Sequence, residues 1–518
     1  MPTQWSTFPI EFRGGLIGNL SPLQQGTNAV GSATVLQNFE PNKEGGYTKV
    51  KGFTKFDSTE VTGSGELKGV KVVSSTKVIA ARKNANNRTQ FFTSTGSGWT
   101  ALTENTSSTE GGKVRHAEYN DNGTDKIIFV DGTNYPCIYT QGNPTDVLTH
   151  LSSSNSTDIE GAQHVAVFKN HVFYAKNNNL ICGAPYSLTD FSAANGAAVF
   201  NILNNITGLI VFRDQLFIFS ENSIKRLSGN SVADFTVSPV TEKIGCLEAD
   251  TIQEFGGDVI YLSPDGVRTL SATDRIGDFG LDIPSDSILK ELKDFTEISD
   301  SYCSLVLREK AQYRLFNYTA NKKVGTSRGL IATKFSSQGG SAIAWGTIQG
   351  VKAKVADGKY VGDNELFIIG NDTGYVYTYN TGNAYDGLAI NAIYESPYMP
   401  ITDPEIRKTF YKLTLYAEPT GNILFDVKLR YNFATSDDTA TVQPDSITIE
   451  NNGNTGYVFS GNTSLYGSAT YGVILKRQYP LNVQGSGYTV SIRIEDNSTE
   501  PSYTLDTALL EFSNRDRK

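Results

Sequence analysis

The amino-acid sequence predicts an all-β fold with a β-propeller at its centre, because a strand–turn–strand pattern recurs through the middle of the chain. In residues 258–272, for example, an apolar strand, a tight polar turn and a second strand follow one another. The turns near Asp131, Asn178, Asn222 and Asp265 are separated by 47, 44 and 43 residues. A period of about 40–50 residues with several short strands per unit is typical of propeller blades.

The hydrophobic pattern inside the repeats supports the same architecture. Residues 216–219 read Leu-Phe-Ile-Phe and residues 259–262 read Val-Ile-Tyr-Leu, without alternation of apolar and polar side chains. A blade lies between two neighbouring blades, so both faces of its sheet are buried and continuous apolar runs are expected. The stretch from residue 61 to residue 388 therefore predicts six or seven blades of about 45 residues each.

Composition agrees with a folded chain that is rich in hairpins. The 518 residues suffice for two or three domains, and 19% charged with 38% apolar residues is typical of a globular protein. The 49 glycines and the 11% aromatic content favour turns and strands. One amphipathic helix is predicted over residues 283–295, with Pro284 at its start and Ser285 or Asp286 as its cap.

Residues 1–60 are predicted to form an extended N-terminal arm. Glycine and proline interrupt every run in this segment, yet it carries more large apolar side chains than a mobile tail needs. We therefore expect the arm to pack along a surface, either the chain's own or that of a neighbouring subunit. The apolar candidates for such an interface are Trp5, Phe8, Phe12, Leu16, Leu20, Phe39 and Tyr47.

Residues 389–518 are predicted to form a separate antiparallel β domain. Their strands are longer than those of the repeats, and residues 423–429 and 490–494 alternate between apolar and polar positions. Such a period of two indicates sheets with one buried face, as in a small β-sandwich or a barrel-like domain. The boundary is expected near residues 396–404, where three prolines interrupt strand pairing.

The charge balance bears on the partners of the protein. A net charge of −9 and an isoelectric point near 5.2 make the protein a poor general binder of nucleic acid, because such binding needs clustered lysine and arginine. An acidic channel wall has a different use, since it repels DNA and lets it slide. We therefore hold the hypothesis that acidic groups line a lumen.

The N-terminus and the cysteines both indicate assembly in a reducing cytoplasm. The first fifteen residues lack a cationic segment followed by an apolar one, so no secretion signal is expected. Cysteines stand at only four positions, far apart in sequence, and most of them lie in or beside apolar strand segments. We expect buried free thiols at Cys137, Cys182, Cys246 and Cys303 in preference to disulfides.

The sequence carries no motif for catalysis, metal binding or phosphate binding. It lacks H-E-x-x-H, paired C-x-x-C and G-x-S-x-G, and His164 and His171 have no partner at a metal-ligand spacing. Turns explain the carboxylates of the repeats, since an acidic or amide side chain beside glycine favours tight hairpins. We predict no enzyme activity and no cofactor. The predicted hairpin-turn residues are Asp131, Asn222, Asp265 and Asp372.

Four segments in order resemble tail nozzle proteins, also described as tail tubular or tail-stabilisation proteins, of short-tailed bacteriophages. Residues 31–56 read GSATVLQNFEPNKEGGYTKVKGFTKF. They resemble the segment of the family in which an extended chain passes through a Gly-Tyr turn before the propeller begins. Residues 206–229 read ITGLIVFRDQLFIFSENSIKRLSG. They are similar to a segment of the family in which two strands come after an Arg-Asp pair. Residues 242–270 and the strands between 487 and 514 also match, and the order of arm, propeller, helix and C-terminal sheet agrees over most of the chain.

The resemblance implies a structural virion protein of the phage tail that is assembled in the cytoplasm of the host bacterium. In that family a hexameric ring joins the adaptor below the portal, or head–tail connector, to a tail fibre, a needle or distal tail proteins. The arm is then expected to pack on a neighbouring subunit or on the adaptor. Phage DNA is expected to pass through the lumen without sequence-specific binding, and no small-molecule substrate is expected.

Two other function classes stay open at this point. A propeller-bearing receptor-binding, baseplate or tail-fibre protein uses exposed aromatic side chains as sugar platforms, although the sequence has no shaft repeat of the kind fibres carry. A propeller glycosidase or lyase needs opposed carboxylates, or a tyrosine and histidine acid–base set, in the central funnel. Closeness of carboxylates in the sequence does not establish that geometry.

Overall fold

The computed structural model describes residues 5–106, 108–143, 146–152, 158–271, 273, 283–297, 301–319, 328–337, 340–434, 444–451 and 477–514. Within these ranges the fold is all-β, as the sequence predicts, with forty strands that pair mostly antiparallel and a few short helices. None of the helices in the described ranges has the length and the apolar content that a membrane crossing requires.

The N-terminal arm forms short strands and one helix. Apart from the first, its strands are three residues long; Pro41 ends one of them, and Asn38, which has a positive φ, ends another. Its helix carries proline in the first turn, where the missing N–H has no partner to lose. The elements are β1 (Ser6–Glu11), α1 (Pro22–Asn28), β2 (Val35–Gln37), β3 (Phe39–Pro41), β4 (Tyr47–Lys49) and β5 (Phe53–Lys55).

The next part of the chain forms seven consecutive sheets, which we call blades one to seven. The first two blades contain β6 (Ser64–Val72), β7 (Val78–Lys83), β8 (Thr89–Ser94) and β9 (Thr100–Ala101), then β10 (Thr103–Glu104), β11 (Arg115–Asp121), β12 (Thr124–Val130), β13 (Cys137–Thr140) and β14 (Val147–His150). Blades three and four contain β15 (His164–Phe168), β16 (His171–Lys176), β17 (Asn179–Cys182) and β18 (Ala198–Asn201), then β19 (Ile206–Phe212), β20 (Gln215–Ser220), β21 (Ile224–Ser228) and β22 (Thr236–Thr241).

The last three blades differ in how they end. Blade five has three strands, β23 (Gln253–Phe255), β24 (Asp258–Ser263) and β25 (Gly266–Thr269). After it comes α2 (Leu289–Thr296), and blade six then contains β26 (Ser301–Leu307), β27 (Gln312–Tyr318), β28 (Arg328–Ser337) and β29 (Gly340–Gln349). Blade seven contains β30 (Val355–Val361), β31 (Asn364–Gly370), β32 (Val376–Tyr379) and, as its outermost strand, β5 of the arm.

The blades are arranged in a ring. An apolar cluster lies between each blade and the next, from blades one and two round to blades six and seven, and the cluster between blades five and six continues into the core of the C-terminal sheets. A further cluster closes the ring, where Val70 and Phe92 of blade one pack against Ile368 and Val376 of blade seven. Each blade therefore buries both faces, as its continuous apolar runs predict. Seven blades form the ring.

The C-terminal part forms two sheets that share one apolar core. The chain switches between the two sheets, so strands that are neighbours in sequence are seldom neighbours in space. Alternate residues of β35, from Ile423 to Tyr431, are buried. This alternation is expected for a sheet that has one face against a core, as in a sandwich. The strands are β33 (Ile390–Glu395), β34 (Lys408–Pro419), β35 (Ile423–Tyr431), β36 (Ile447–Asn451), β37 (Gln478–Asn482), β38 (Ser486–Gly487), β39 (Val490–Ser498) and β40 (Tyr503–Asn514).

The arm joins the propeller to the C-terminal sheets. Strand β2 lies between β29 of blade six and β33, so the two parts form one nine-stranded sheet in the order β26-β27-β28-β29-β2-β33-β39-β35-β36. Strands β1 and β4 both pair with β40 in the second sheet. Lys49 at the end of β4 donates to both carboxylate oxygens of Asp496 at 2.9 Å, and neither side chain is more than 1% exposed.

The predicted helix begins later than expected. Residues 286–288 form a single 3₁₀ turn, and the α-helix covers Leu289–Thr296 with Leu292 and Phe295 buried. The hydroxyl of Ser285, a predicted cap, accepts a hydrogen bond from the backbone N–H of Val267 in blade five at 3.0 Å. Ser285 therefore attaches the segment to the propeller and does not cap the helix. The four cysteines are free and buried, as predicted.

Candidate functional site

A cavity of about 300 Å³ lies on the propeller axis, where the innermost strands of the blades meet. Its wall is mainly polar and carries charged side chains from several blades. Every blade contributes to the wall, in order through Val70, Arg115, His164, Leu209, Gln253, Ser304 and Asp357. The axis is therefore the place where side chains from distant repeats come together.

One group of ion pairs crosses the axis from blade two towards blade five. Lys113 Nζ lies 2.6 Å from Asp250 Oδ2, and Arg115 Nε lies 3.0 Å from Asp250 Oδ1. Arg115 also contacts the carboxylate of Glu248. Asp250 lies in a 3₁₀ turn, Ala249–Thr251, just before blade five, so these contacts join opposite sides of the ring.

A second group joins blades one, two and seven. Lys71 Nζ of blade one lies 3.0 Å from Glu118 of blade two and 3.3 Å from Asp357 of blade seven. Lys359 approaches the same Glu118 oxygen at 2.8 Å, and His116 Nε2 lies 3.5 Å from Asp357. Each carboxylate in this group thus faces at least one cation, and the ring is tied across the seam at which it closes.

Asp250 and Asp357 at the axis stay ionised. Burial acts to raise the pKa of Asp250, but the positive charges of Lys113 and Arg115 outweigh it and hold the pKa below its usual range. The pKa of Asp357 is also lowered, because Lys71 and His116 outweigh the effect of burial. A glycosidase needs one carboxyl with a raised pKa as its acid. The pKa values of Asp250 and Asp357 are lowered instead.

His164 contributes an uncharged ring to the same cavity. Burial lowers its pKa to about 3, and the nearby charge of Arg115 acts in the same direction. Its Nδ1 has no hydrogen-bond partner among the described residues. The described ranges also contain no group of three or more His, Cys, Asp or Glu side chains placed to hold a metal ion.

The four residues predicted as hairpin turns each lie between consecutive strands of a blade. Asp131 follows β12, Asn222 follows β20, Asp265 follows β24 and Asp372 follows β31. Their side chains differ in the contacts that they make. Asp265 accepts hydrogen bonds from the guanidinium of Arg268 at 2.9 and 2.5 Å. None of the four lines the axis cavity.

Two of these turns are held by side-chain acceptors. Asp131 Oδ1 accepts hydrogen bonds from the backbone N–H of Thr133 at 3.0 Å and of Asn134 at 2.8 Å. In the last hairpin the equivalent acceptor is Asn371, one residue before the predicted Asp372. Asp372 accepts a hydrogen bond from the Tyr318 hydroxyl at 3.0 Å, which joins blade seven to blade six.

We expect Asp131→Ala to lower the free energy of unfolding by about 1–2 kcal/mol, because two backbone N–H groups in a partly buried turn lose their acceptor. Asp131 is 8% exposed, so water does not fully replace the carboxylate. Urea unfolding followed by fluorescence measures the change. Asp131→Asn keeps an acceptor oxygen and is the matched control; a loss as large as that of alanine would contradict the turn interpretation.

The interface interpretation is wrong for four of the seven arm residues. Phe12, Leu16, Phe39 and Tyr47 are at most 2% exposed and belong to the core shared by blade six and the C-terminal sheets. The Tyr47 hydroxyl donates to a backbone carbonyl of the arm at 2.8 Å and accepts from a backbone N–H at 3.0 Å. These side chains are large and apolar because they hold the arm to its own chain.

The other three arm residues stay near the surface. Trp5 is 59% exposed and stacks on Tyr411 of β34 with ring centroids 5.0 Å apart. Leu20 is 38% exposed, and Phe8 packs half-buried against the core. Of the seven predicted interface residues, Trp5 and Leu20 are therefore the two that present a large apolar surface to a partner.

None of the residues that form the axis ion pairs is among those predicted from the sequence. One signal does point to them: residues 113–116 read Lys-Val-Arg-His just before and at the start of an inner strand, in a repeat whose next strand is apolar. Their partners Asp250 and Asp357 lie in repeats that are far away in sequence. The pairing therefore cannot be found from spacing alone.

No protein-family model matches the chain, and no curated protein matches it. Among solved structures, the crystal structure of Chaetomium thermophilum Raptor matches with 7% sequence identity and a TM-score of 0.40. The match covers 65% of this chain and 29% of the Raptor chain. A likeness at this level carries no argument about fold or function.

Proposed function

We propose that this protein is a structural virion protein, a phage tail nozzle whose copies form a ring around a DNA conduit below the portal and adaptor. The observation that carries the proposal is the junction made by the arm. Because β2 continues blade six into the C-terminal sheets, the propeller and the C-terminal part share a single nine-stranded sheet. A stiff subunit of this kind, with its parts in the order that the nozzle resemblance implies, suits a ring under mechanical load.

The chemistry of the axis supports a scaffold more than an enzyme. Asp250 and Asp357 are both held ionised by neighbouring cations, and these ion pairs cross the ring between blades. Each carboxylate is already occupied in holding blades together. A propeller glycosidase places its acid–base pair at the axis, and the pairing of both carboxylates with cations there supports a structural role for them.

The proposed ring has heterologous contacts, in which one face of a subunit meets a different face of its neighbour. The adaptor contacts one end of the ring, and a fibre, needle or distal tail protein contacts the other. The net charge of −9 supports a lumen whose acidic groups let DNA slide without binding. A basic lumen in a microscopy reconstruction of the ring would contradict this last part.

The first experiment is native mass spectrometry of the purified full chain, alone and with the purified adaptor, together with negative-stain microscopy. We expect a hexamer with a six-fold ring, in isolation or on the adaptor as template. Immunogold labelling of virions should then mark the distal end of the tail. A chain that stays monomeric with the adaptor and is missing from virions contradicts the proposal. A trimer, or a label on lateral fibres, supports the receptor-binding alternative.

A further inference from the structure

A second cavity, of about 530 Å³, lies where blade seven, the arm and the start of the C-terminal part meet. It is separate from the axis cavity and shares no lining residue with it. Its volume falls in the range of about 300–1,000 Å³ that is usual for small-molecule sites, and such sites favour junctions between domains. None of the activities considered for this chain uses it.

The floor of this junction cavity is aromatic. Phe53 of β5 stacks on Tyr385 with ring centroids 5.0 Å apart and an angle of 13° between the rings. Tyr377 of β32 meets Phe53 edge-on, also at 5.0 Å. Phe53 and Tyr385 are less than 10% exposed, so the floor is fixed by packing before any ligand arrives.

The wall of the junction cavity is built from amide side chains. Gln37 and Asn38 of the arm, Gln349 of blade six and Asn391 of β33 all line it. Asn38 holds these segments together: its Nδ2 donates to the carbonyls of Gln349 at 3.1 Å and Asn391 at 2.8 Å. Its Oδ1 accepts from the Gln349 N–H at 2.9 Å and the Tyr385 hydroxyl at 3.2 Å. The wall is therefore polar, uncharged and rigid.

The rim carries one charge of each sign and an apolar lip. Lys352 and Asp386 are both exposed at the rim, and Asp386 pairs with Lys55 at 3.3 Å. Leu388, at 72% exposed, and Ala389 form the lip beside them. The charged lining residues, Lys352 and Asp386, both stand at the exposed rim, and Asp386 is already paired with Lys55, so the buried floor and wall are uncharged and match a neutral ligand.

We propose that the junction cavity binds a neutral hexopyranose unit of a saccharide. A pyranose ring has an apolar C–H face that packs on aromatic rings, and hydroxyls that both donate and accept hydrogen bonds. The Asn38 amide is fully engaged in holding the wall, but the buried Oδ1 of Asn391 has no hydrogen-bond partner among the described residues and can accept from a sugar hydroxyl. Sites of this type combine an apolar surface with a few fixed polar groups. The inference goes beyond the nozzle proposal and does not depend on ring assembly.

Saturation-transfer NMR and calorimetry on the purified full chain test this site with the methyl glycosides of glucose, galactose and N-acetylglucosamine. We expect at least one to bind with a Kd of about 1 mM, a weak affinity typical of a single small ring. Glucuronate is the charged comparison and should bind more weakly. Binding is measured on the isolated chain, so its outcome is independent of whether rings form.

Ala389→Trp is the variant designed to block the junction cavity, because it places a large side chain on the exposed lip without touching the core. We expect it to weaken sugar binding at least tenfold while the thermal unfolding temperature stays the same. Ala194→Trp makes the same change at an exposed site on blade three and should bind like the parent chain. No binding of any neutral sugar, equal binding by the Ala389→Trp chain, or tighter binding of glucuronate would overturn the proposal.

Discussion

Glu40→Gln is expected to lower the free energy of unfolding by about 3–5 kcal/mol at neutral pH, because it leaves a buried arginine without its counter-charge. Glu40 on β3 is 2% exposed and contacts the guanidinium of Arg314, which is fully buried in blade six. Lys310 Nζ lies 2.7 Å from the other carboxylate oxygen. The substitution keeps the shape of the side chain and removes only its charge.

The effect should depend on pH with a defined sign. Burial acts to raise the pKa of Glu40, but Lys310 and Arg314 outweigh it, so the folded pKa lies below the ordinary value of 4.5. The unfolded chain therefore binds more protons than the folded chain between these two values. The contribution of Glu40 is fully present above pH 4.5 and is lost as the pH falls through the folded pKa.

Urea unfolding at pH values from 7 down to 3, followed by tryptophan fluorescence, measures both predictions. The difference between the parent chain and Glu40→Gln should be largest at pH 7 and shrink on acidification. Glu44→Gln changes an exposed carboxylate in the same arm and should stay within about 0.5 kcal/mol of the parent. Equal stability of the parent and Glu40→Gln chains at pH 7 would show that the arm is not held by this contact.

Glu40 also illustrates which parts of the fold the sequence could predict. The blades are local objects: apolar runs, turn residues and a repeat of about 45 residues suffice to place them. Every residue of β27, QYRLFNY, is buried, including Arg314 in its middle. A charge in such a strand implies a buried counter-charge, but nothing local identifies Glu40, which lies 274 residues earlier.

The packing partners of the arm are also beyond prediction from sequence. Its large apolar residues predict a packed segment, yet their partners cannot be chosen from sequence. Strand β2 pairs with β29 in parallel and with β33 antiparallel, through residues that are more than 300 positions away. Short strands between glycines and prolines have weak patterns, so Phe12, Phe39 and Tyr47 look equally suited to an interface with another subunit and to their own core.

Among the candidate sites, those formed by neighbouring residues could be predicted from sequence and those formed by distant segments could not. The hairpin turns are predictable because an aspartate or asparagine acts on the backbone two or three residues further on. The axis and the junction cavity are assembled from several distant segments, for example Gln37, Tyr385 and Asn391 in the junction cavity. Only the closed ring of blades and the inserted arm bring such residues within reach of one another.

Asp250→Asn is expected to lower the free energy of unfolding by about 2–3 kcal/mol, since Lys113 and Arg115 lose the carboxylate that lies between them. The Asp250 side chain is 22% exposed, so the effect lies between that of a surface pair and that of a fully buried one. Because its folded pKa is held below the ordinary 3.8, the contribution is present above that pH and is lost on stronger acidification.

The control for this substitution is Glu254→Gln, an exposed carboxylate a few residues away in blade five, which should leave the urea midpoint nearly unchanged. Sodium chloride at high concentration should reduce the Asp250→Asn difference only in part, because charges at the axis are screened less than surface charges. If Asp250→Asn is as stable as the parent chain, the carboxylate does not hold the ring together. It would then be available for chemistry, and the enzyme alternative would need polysaccharide-cleavage assays on this variant.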